Sequence, residues 1–184
     1  NGSYVAPNVG PGGGGGRVAI AYDAAAQATR NATEPPSLKL SAAGGIGKMG
    51  LSDSGQPGTI HMPDTGLLSG KFYGGELLIP NFTSWSSESL VFANGLTPFP
   101  SGFNLSTTGD ALVVDDGELV VTNMTLSIGG DLLVQNSPQS VPKIFGGNLS
   151  AFSLAGDLVV GKGTLELYSD PNTESLINVG GNLV

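Results

Sequence analysis

One phrase recurs through the second half of this 184-residue chain: a glycine, then Asp or Asn, then a short apolar run. Its copies begin at Gly109, Gly130, Gly147, Gly156 and Gly181, so their sequence numbers rise by 21, 17, 9 and 25. Recurrence of this kind is typical of architectures in which one short supersecondary unit stacks on the next. The phrase therefore predicts a repeated β architecture, the kind of chain that usually serves as a scaffold.

The apolar residues beyond Gly75 predict short strands bounded by Gly, Asp, Asn or Pro. Alternation within them predicts one buried face, which would carry Leu112 and Val114, Leu119 and Val121, Leu126 and Ile128, and Leu165 and Leu167. Strands this short bury too little surface alone, but stacked coils share one continuous core. A spacing of roughly 21 to 26 residues suits a coil of three such strands. The two shorter intervals, on either side of Gly147, interrupt that register.

We therefore predict an all-β chain, a parallel β-helix (β-solenoid) with a glycine-rich N-terminal part. Residues 1–75 form an irregular glycine-rich β module, and residues 76–184 form the solenoid repeats, continuous with it as one structural unit. The best helix candidate is the short segment Ala24–Arg30. A β-sandwich is the alternative, because turn signals every 8–12 residues or so, roughly as seen here, predict that fold equally well.

The charge pattern excludes some partners. The net charge is −8, with two basic and eleven acidic residues from Glu76 onward. Such a surface repels nucleic acid and anionic lipid, so we expect neither nucleic-acid binding nor membrane insertion. The chain has no cysteine, which excludes disulfides. It begins at Asn1 without a Met and closes within a phrase at Val184, which indicates a piece of a larger precursor.

Half of the twelve asparagines lie in Asn-x-Ser/Thr sequons. The candidate N-glycosylation sites are Asn1, Asn31, Asn81, Asn104, Asn123 and Asn148. Glycosylation would place the chain on a secretory route. The alternative is that Asn, Ser and Thr are all enriched in β-turns.

Candidate sites for chemistry are sparse. Asp53-Ser54-Gly55 and Asp64-Thr65-Gly66 each match the aspartic-protease triplet, but turn chemistry explains both. His61 is the only histidine, and its position between Ile60 and Met62 favours the polar face of a strand. Six acidic residues are candidate calcium ligands, with solvated turn carboxylates as the alternative. They are Asp110, Asp115, Asp116, Glu118, Asp131 and Asp157.

Aromatic residues cluster in one stretch of the chain. They are Phe72, Tyr73, Phe82, Trp85 and Phe92. An exposed set would suit sugar stacking or a subunit contact, whereas a buried set would be a core or end-cap cluster.

Four N-terminal motifs occur in a familiar order. Gly12–Ile20 reads GGGGGRVAI, Leu40–Gly45 reads LSAAGG, Gly58–Met62 reads GTIHM and Glu76–Asn81 reads ELLIPN, and later segments read IGGDL and VGGNL. This order resembles the glycine-rich modules of very large secreted and cell-surface β-helix proteins, in which GGGGGRIAI-type motifs precede VGGNLTV-type repeats. The resemblance implies a right-handed parallel β-helix of adhesin-like or extracellular matrix proteins. The resemblance is specific as to architecture and carries little information about activity.

These observations lead to three functional hypotheses. The first is a non-enzymatic, secreted or cell-surface structural protein that assembles end to end with copies of itself into a fibre or surface layer. The second is a glycan-binding adhesin segment. The third is a polysaccharide-degrading β-helix enzyme, which ranks last because only Lys143 and Lys162 are basic after Gly75. No cofactor is expected beyond the calcium considered above.

Overall fold

The computed structural model describes residues 12–45, 55–115, 117–135, 143–147, 151–161, 163–168 and 177–184, with only the backbone described for 143–147 and 166–168. Among the described residues, nearly all of the regular secondary structure is β. One helix, α1, spans Ala24–Asn31. The strands are β1 (Arg17–Ala19), β2 (Thr59–His61), β3 (Lys71–Phe72), β4 (Glu76–Leu78), β5 (Ser84–Ser87), β6 (Leu90–Phe92), β7 (Gly95–Pro98), β8 (Asn104–Thr107), β9 (Ala111–Val113), β10 (Gly117–Thr122), β11 (Thr125–Ile128), β12 (Leu132–Val134), β13 (Lys143–Gly147), β14 (Ala151–Leu154), β15 (Leu158–Val160), β16 (Thr164–Tyr168) and β17 (Ile177–Val179).

The strands form a parallel β-helix with three long faces. Sheet 1 has the order β3-β6-β9-β12-β15, sheet 2 the order β7-β10-β13-β16, and sheet 3 the order β5-β8-β11-β14-β17. From β6 onward, each coil contributes one strand to sheet 1, one to sheet 2 and one to sheet 3 in that order, and the strand pairings within these sheets are parallel. A smaller N-terminal sheet has the order β1-β2-β4. The predicted fold class is thereby confirmed, and the antiparallel pairing of a β-sandwich is absent from the described residues.

The predicted coil length is also confirmed. Leu90 pairs with Ala111, Ala111 with Leu132 and Leu132 with Leu158, so the sequence number rises by 21, 21 and 26 from coil to coil. The two shorter intervals of the phrase arise from Gly147, which ends β13 on sheet 2. The other four glycines of the phrase lie where sheet 3 turns into sheet 1. Gly147 therefore begins a copy of the phrase at a different position in the coil from the other four glycines.

Inward-facing side chains form columns that run through the stacked coils. One column on sheet 1 holds Leu90, Ala111, Leu132 and Leu158, all at most 3% exposed. Fully burying an aliphatic or aromatic side chain contributes roughly 1.5–3 kcal/mol, so the shared core is the main stabilising term. No single strand could supply it.

The predicted inward faces of the strands are mostly right. Leu119, Val121, Leu126 and Ile128 are at most 2% exposed, as expected. Leu165 is half-buried against the core, and the side chain of Leu167 lies outside the described residues.

The expectation for Leu112 and Val114 is wrong. Ala111 and Val113 point inward and are buried, whereas Leu112 and Val114 are only half-buried. Apolar residues occupy every position of β9, so alternation carries no signal there.

Two corners of the β-helix use left-handed backbone conformations. Gly74, Asn94 and Asp115 follow successive strands of sheet 1, with φ of 75°, 56° and 52°. Asn81 and Asn123, with φ of 58° and 51°, lie at the corner that leads into sheet 3. Asn and Asp tolerate this region better than other residues with side chains.

The N-terminal glycines allow three backbone segments to pack without side chains between them. The Gly45 N–H donates to Gly13 O at 2.7 Å, and the Gly15 N–H donates to Gln56 O at 2.8 Å. The Gly55 N–H donates to Gly45 O at 2.9 Å and closes the triangle. The glycine run is thus used for close backbone approach, as glycine permits.

The helix candidate is confirmed with one more residue than expected. α1 begins after Asp23, whose carboxylate accepts hydrogen bonds from the N–H groups of Ala25 and Ala26, both at 3.0 Å. This is the ordinary role of Asp at a helix N-cap. The helix has no buried residue.

Two neighbouring glycines test the packing of the N-terminal backbone. A Cβ on Gly15 would overlap Ala42 O and Gly58 N, whereas a Cβ on Gly16 would have no atom within 4 Å. We expect Gly15→Ala to lower the free energy of unfolding by about 1–3 kcal/mol, the usual cost of overpacking. Gly16→Ala should be neutral or stabilising by up to about 1 kcal/mol. Equal urea midpoints for the two variants would contradict the packing described here.

Candidate functional site

Short polar side chains form a hydrogen-bonded ladder along the corner between sheets 3 and 1. The Oδ1 atom of Asp110 accepts from the Asp131 N–H at 2.9 Å, and that of Asp131 accepts from the Asp157 N–H at 2.8 Å. Asp157 Oδ1 then accepts from both the N–H and the Nδ2 of Asn182, at 2.6 and 3.0 Å. Each side chain thus binds the backbone of the following coil.

The preceding glycines make room for this ladder. Gly109, Gly130, Gly156 and Gly181 stack through N–H···O bonds of 3.0, 2.9 and 2.9 Å. A Cβ on any of the last three would overlap the Asp Oδ1 of the coil before it. The Gly-Asp phrase is therefore one structural unit, in which glycine supplies space and the acidic residue supplies an acceptor.

The hydrogen bonds of the ladder occupy oxygen atoms of some of the candidate calcium ligands. Asp131 and Asp157 use an oxygen to bind the turn backbone, as short polar side chains in turns commonly do. Asp115 lies at a left-handed corner, Glu118 lies on the outer side of β10, and Asp116 lies outside the described residues. Within the part of the chain that the structure describes, no three or more His, Asp or Glu side chains are grouped as a metal site would require.

Asp131 offers a direct test of the ladder. We expect Asp131→Ala to lower the free energy of unfolding by about 1–2 kcal/mol, as loss of a side-chain cap does, because the Asp157 N–H loses its acceptor. Asp131→Asn keeps an acceptor oxygen and removes one of a row of like charges, so it should be neutral or stabilising. Urea unfolding of both variants measures the difference, and an Ala variant as stable as the wild type would refute the ladder's contribution.

A second polar cluster joins α1 to the loop after β2. Asp64 Oδ1 accepts from the Gly66 N–H at 2.7 Å and from the Tyr22 hydroxyl. The Asn31 side chain donates to Gly66 O at 2.6 Å and accepts from Gln27 Nε2 at 2.7 Å. Asp64 is therefore a turn residue, as the turn alternative predicted for its triplet.

Asp53, the acidic residue of the other triplet, lies outside the described residues. Of the two candidate carboxylates, the structure therefore describes only Asp64, whose contacts are those of a turn residue.

The Tyr22–Asp64 contact predicts a pH dependence. Burial, and then the hydrogen bond and negative charge of Asp64, raise the pKa of Tyr22 from 10.0 to about 12. Folding therefore favours the protonated phenol, and this contribution is complete below the unfolded pKa of 10.0 and lost as the pH rises through about 12. We expect Tyr22→Phe to be less stable than wild type at pH 8 and to lose less stability between pH 10 and 12.

Tyr73→Phe is the matched control for that measurement, since Tyr73 contacts Lys39 through its ring, which phenylalanine retains. Thermal unfolding at pH 8, 10, 11 and 12 compares the three proteins. Parallel curves for the wild type and Tyr22→Phe would show that the Tyr22 hydroxyl contributes nothing to the pH dependence.

The aromatic cluster is mainly part of the core. Phe72, Phe82 and Phe92 are 5%, 9% and 0% exposed. Phe72 stacks on Phe92 with ring centroids 5.1 Å apart, and Phe82 contacts Phe103 at 4.8 Å. Rings buried in this way cannot stack on a sugar.

The remaining members of the aromatic cluster, Tyr73 and Trp85, are half-buried. The Lys39 ammonium lies 4.5 Å from the Tyr73 ring centroid and covers one face of that ring. Two partly covered rings are all that this cluster offers to a ligand.

The sequon asparagines separate into two groups. Asn81, Asn104 and Asn123 are exposed, and all three lie at or beside the corner that leads into sheet 3. Asn31 is half-buried, and its side-chain amide donates to Gly66 O in the polar cluster that joins α1 to the loop after β2. The two other sequon residues, Asn1 and Asn148, lie outside the described residues.

The only histidine takes the place that its neighbours predict. His61 is exposed on β2, between the buried Ile60 and Met62.

The outer faces of sheets 1 and 3 differ in chemistry. The outer face of sheet 3 carries a column of short polar side chains paired in register: Ser86, Ser106, Ser127, Ser153 and Asn178. On the outer face of sheet 1, four of the five strands carry aliphatic side chains at the corresponding positions: Val91, Leu112, Leu133 and Val159. On β3, the exposed Lys71 occupies this position and pairs with Val91. Neither column was anticipated, although the apolar triplets of sheet 1 were visible in the sequence.

Two recesses lie near the N-terminal end. A cavity of about 20 Å³ is lined mainly by apolar residues and by Thr97, a 1% exposed residue whose hydroxyl has no hydrogen-bond partner among the described residues. That volume accommodates a single water. An open recess of about 300 Å³ beside α1 is lined by residues that include Arg30, Glu34 and Leu38. Neither of these two recesses is lined by the pair of carboxylates that most glycoside hydrolases use.

Comparisons of the chain with protein-family models, curated proteins and solved structures found no match. Among the described residues, no helix is long and apolar enough to cross a bilayer.

Proposed function

We propose that this chain is a non-enzymatic structural element of a secreted or cell-surface assembly, in which β-helices join end to end into a fibre or layer. The observation that carries the proposal is the corner ladder. The same backbone and side-chain hydrogen bonds join four consecutive coils. In each coil the Asp Oδ1 accepts from a backbone N–H of the following coil, so every coil offers the next one the same acceptor.

The same bonds would hold a following coil whether it belongs to this chain or to a second copy. Leu183 pairs with Leu158, and the adjacent Asn182 repeats the polar position of the phrase. A repeated head-to-tail contact of this kind builds a filament without closing on itself.

The N-terminal sheet offers a complementary edge. β1 pairs with β2, with the Ile20 N–H donating to His61 O at 2.9 Å and the Thr59 N–H donating to Gly16 O at 3.1 Å. In this parallel register the Ala19 N–H points away from β2, and all three residues of β1 are exposed. An exposed strand edge is a template for pairing with another chain.

Ala19 allows the end-to-end contact to be tested. We expect filaments of the wild-type chain by negative-stain electron microscopy and a sedimentation coefficient that rises with concentration. Ala19→Pro removes the outward N–H without removing a bond to β2, so it should abolish filaments. Ala19→Ser keeps that N–H and should preserve them.

Circular dichroism of all three proteins would verify that the strands remain folded. A wild-type chain that stays monomeric at every concentration would overturn the filament proposal. Filaments formed equally by Ala19→Pro would show that the contact does not use this edge.

A further inference from the structure

The outer face of sheet 1 carries a continuous row of aliphatic side chains, here called the apolar stripe: Val91, Leu112, Leu133 and Val159. Their neighbours along each strand point inward, so these four point outward. They are half-buried and lie outside the hydrophobic core. The row crosses four coils, or about 14 Å at a strand spacing of about 4.8 Å.

The strands of sheet 1 have the composition of strands covered on both faces. The strands β6, β9, β12 and β15 read LVF, ALV, LLV and LVV, and only the two-residue strand β3 at the edge of the sheet, KF, departs from this composition. By contrast, β11 and β14 of sheet 3 read TLSI and AFSL. Parallel strands buried on both faces read as continuous apolar runs, and half-exposed strands alternate. Sheets 1 and 3 share one core, so the core cannot explain why their outer faces differ in composition.

The charges beside the stripe restrict what could cover it. Asp110, Asp131 and Asp157 immediately precede β9, β12 and β15, and form an acidic column two positions before the apolar row. Lys71 adds one positive charge at the end of the row, beside Val91, so three acidic residues and one basic residue border the stripe. Antiparallel apposition of a second copy would bring this column close to its own counterpart, and anionic lipid would be repelled. A partner with positive charge beside apolar side chains is complementary to both features.

We propose that the apolar stripe and its acidic column form a docking surface for a polypeptide segment that presents a row of aliphatic side chains bordered by Lys or Arg. This lateral contact is separate from the end-to-end contact and does not rest on it. The length of the stripe matches between two and three turns of an α-helix, at about 5.4 Å per turn. A basic amphipathic helix has the required arrangement, with its apolar side chains at i, i+3, i+4 and i+7.

The probe is a fluorescent synthetic helical peptide of about 18 residues, with Leu along one face and Lys beside it. A second peptide has the same composition in scrambled order, and a third has Glu in place of Lys. Leu112→Asn/Leu133→Asn disrupts the stripe without changing the charge of the chain. Ser127→Asn/Ser153→Asn, on the outer face of sheet 3, is the matched control. Unchanged thermal midpoints would verify that both variants fold.

We expect the wild type and the Ser variant to bind the Leu/Lys peptide equally, and the Leu variant to bind it at least about tenfold more weakly. Both other peptides should bind the wild type at least about tenfold more weakly than the Leu/Lys peptide. Absence of binding, or equal binding by the Leu variant or of the scrambled peptide, would overturn the proposal. Self-association of the wild type that only the Leu variant loses would identify a second copy as the occupant and would also overturn it.

Discussion

The contact between one coil and the next at the Gly-Asp corner is the constraint on which the rest of the structure depends. In a β-sheet a slip of one residue would turn every inward side chain outward. The corner opposes such a slip because the Asp131 carboxylate accepts from the Asp157 N–H of the next coil. The adjacent Gly156 has to stay without a side chain, since a Cβ there would collide with that carboxylate. Register is therefore re-established once per coil.

The same corner explains how coils of different length remain aligned. Asp110 and Asp131 are 21 positions apart, whereas Asp131 and Asp157 are 26 apart. In the longer coil, eight residues separate β12 from β13, where three separate β9 from β10. The additional residues thus fall in the sequence between the strand of sheet 1 and the strand of sheet 2, while the glycine and its acidic neighbour return to the same place in the stack. Core columns remain continuous because only that corner has to repeat.

A stack of this kind leaves its outer faces free to differ. The inward positions must be apolar and close-packed, but the outward positions of each sheet are constrained only by their neighbours above and below. Sheet 3 uses this freedom for serine and asparagine, and sheet 1 for valine and leucine. Distinct faces on one stack of coils suit a building element that makes different contacts along its length and at its ends.

The sequence by itself determined an all-β chain and the coil length, because the recurring phrase returns at that spacing among short β-branched runs. The parallel pairing of the strands then decided for stacked coils over a β-sandwich, which the turn signals fitted equally well. The sequence also indicated the turn role of Asp131 and Asp157, which follows from the short reach of an Asp side chain. Only the tertiary structure decided that Leu112 faces outward, that Gly147 lies on sheet 2, and that most of the clustered aromatic rings belong to the core. Those outcomes depend on how residues about one coil apart in the sequence come to lie side by side. The sequence of a short strand that is apolar at every position does not indicate which residues of the adjacent coil will lie beside it.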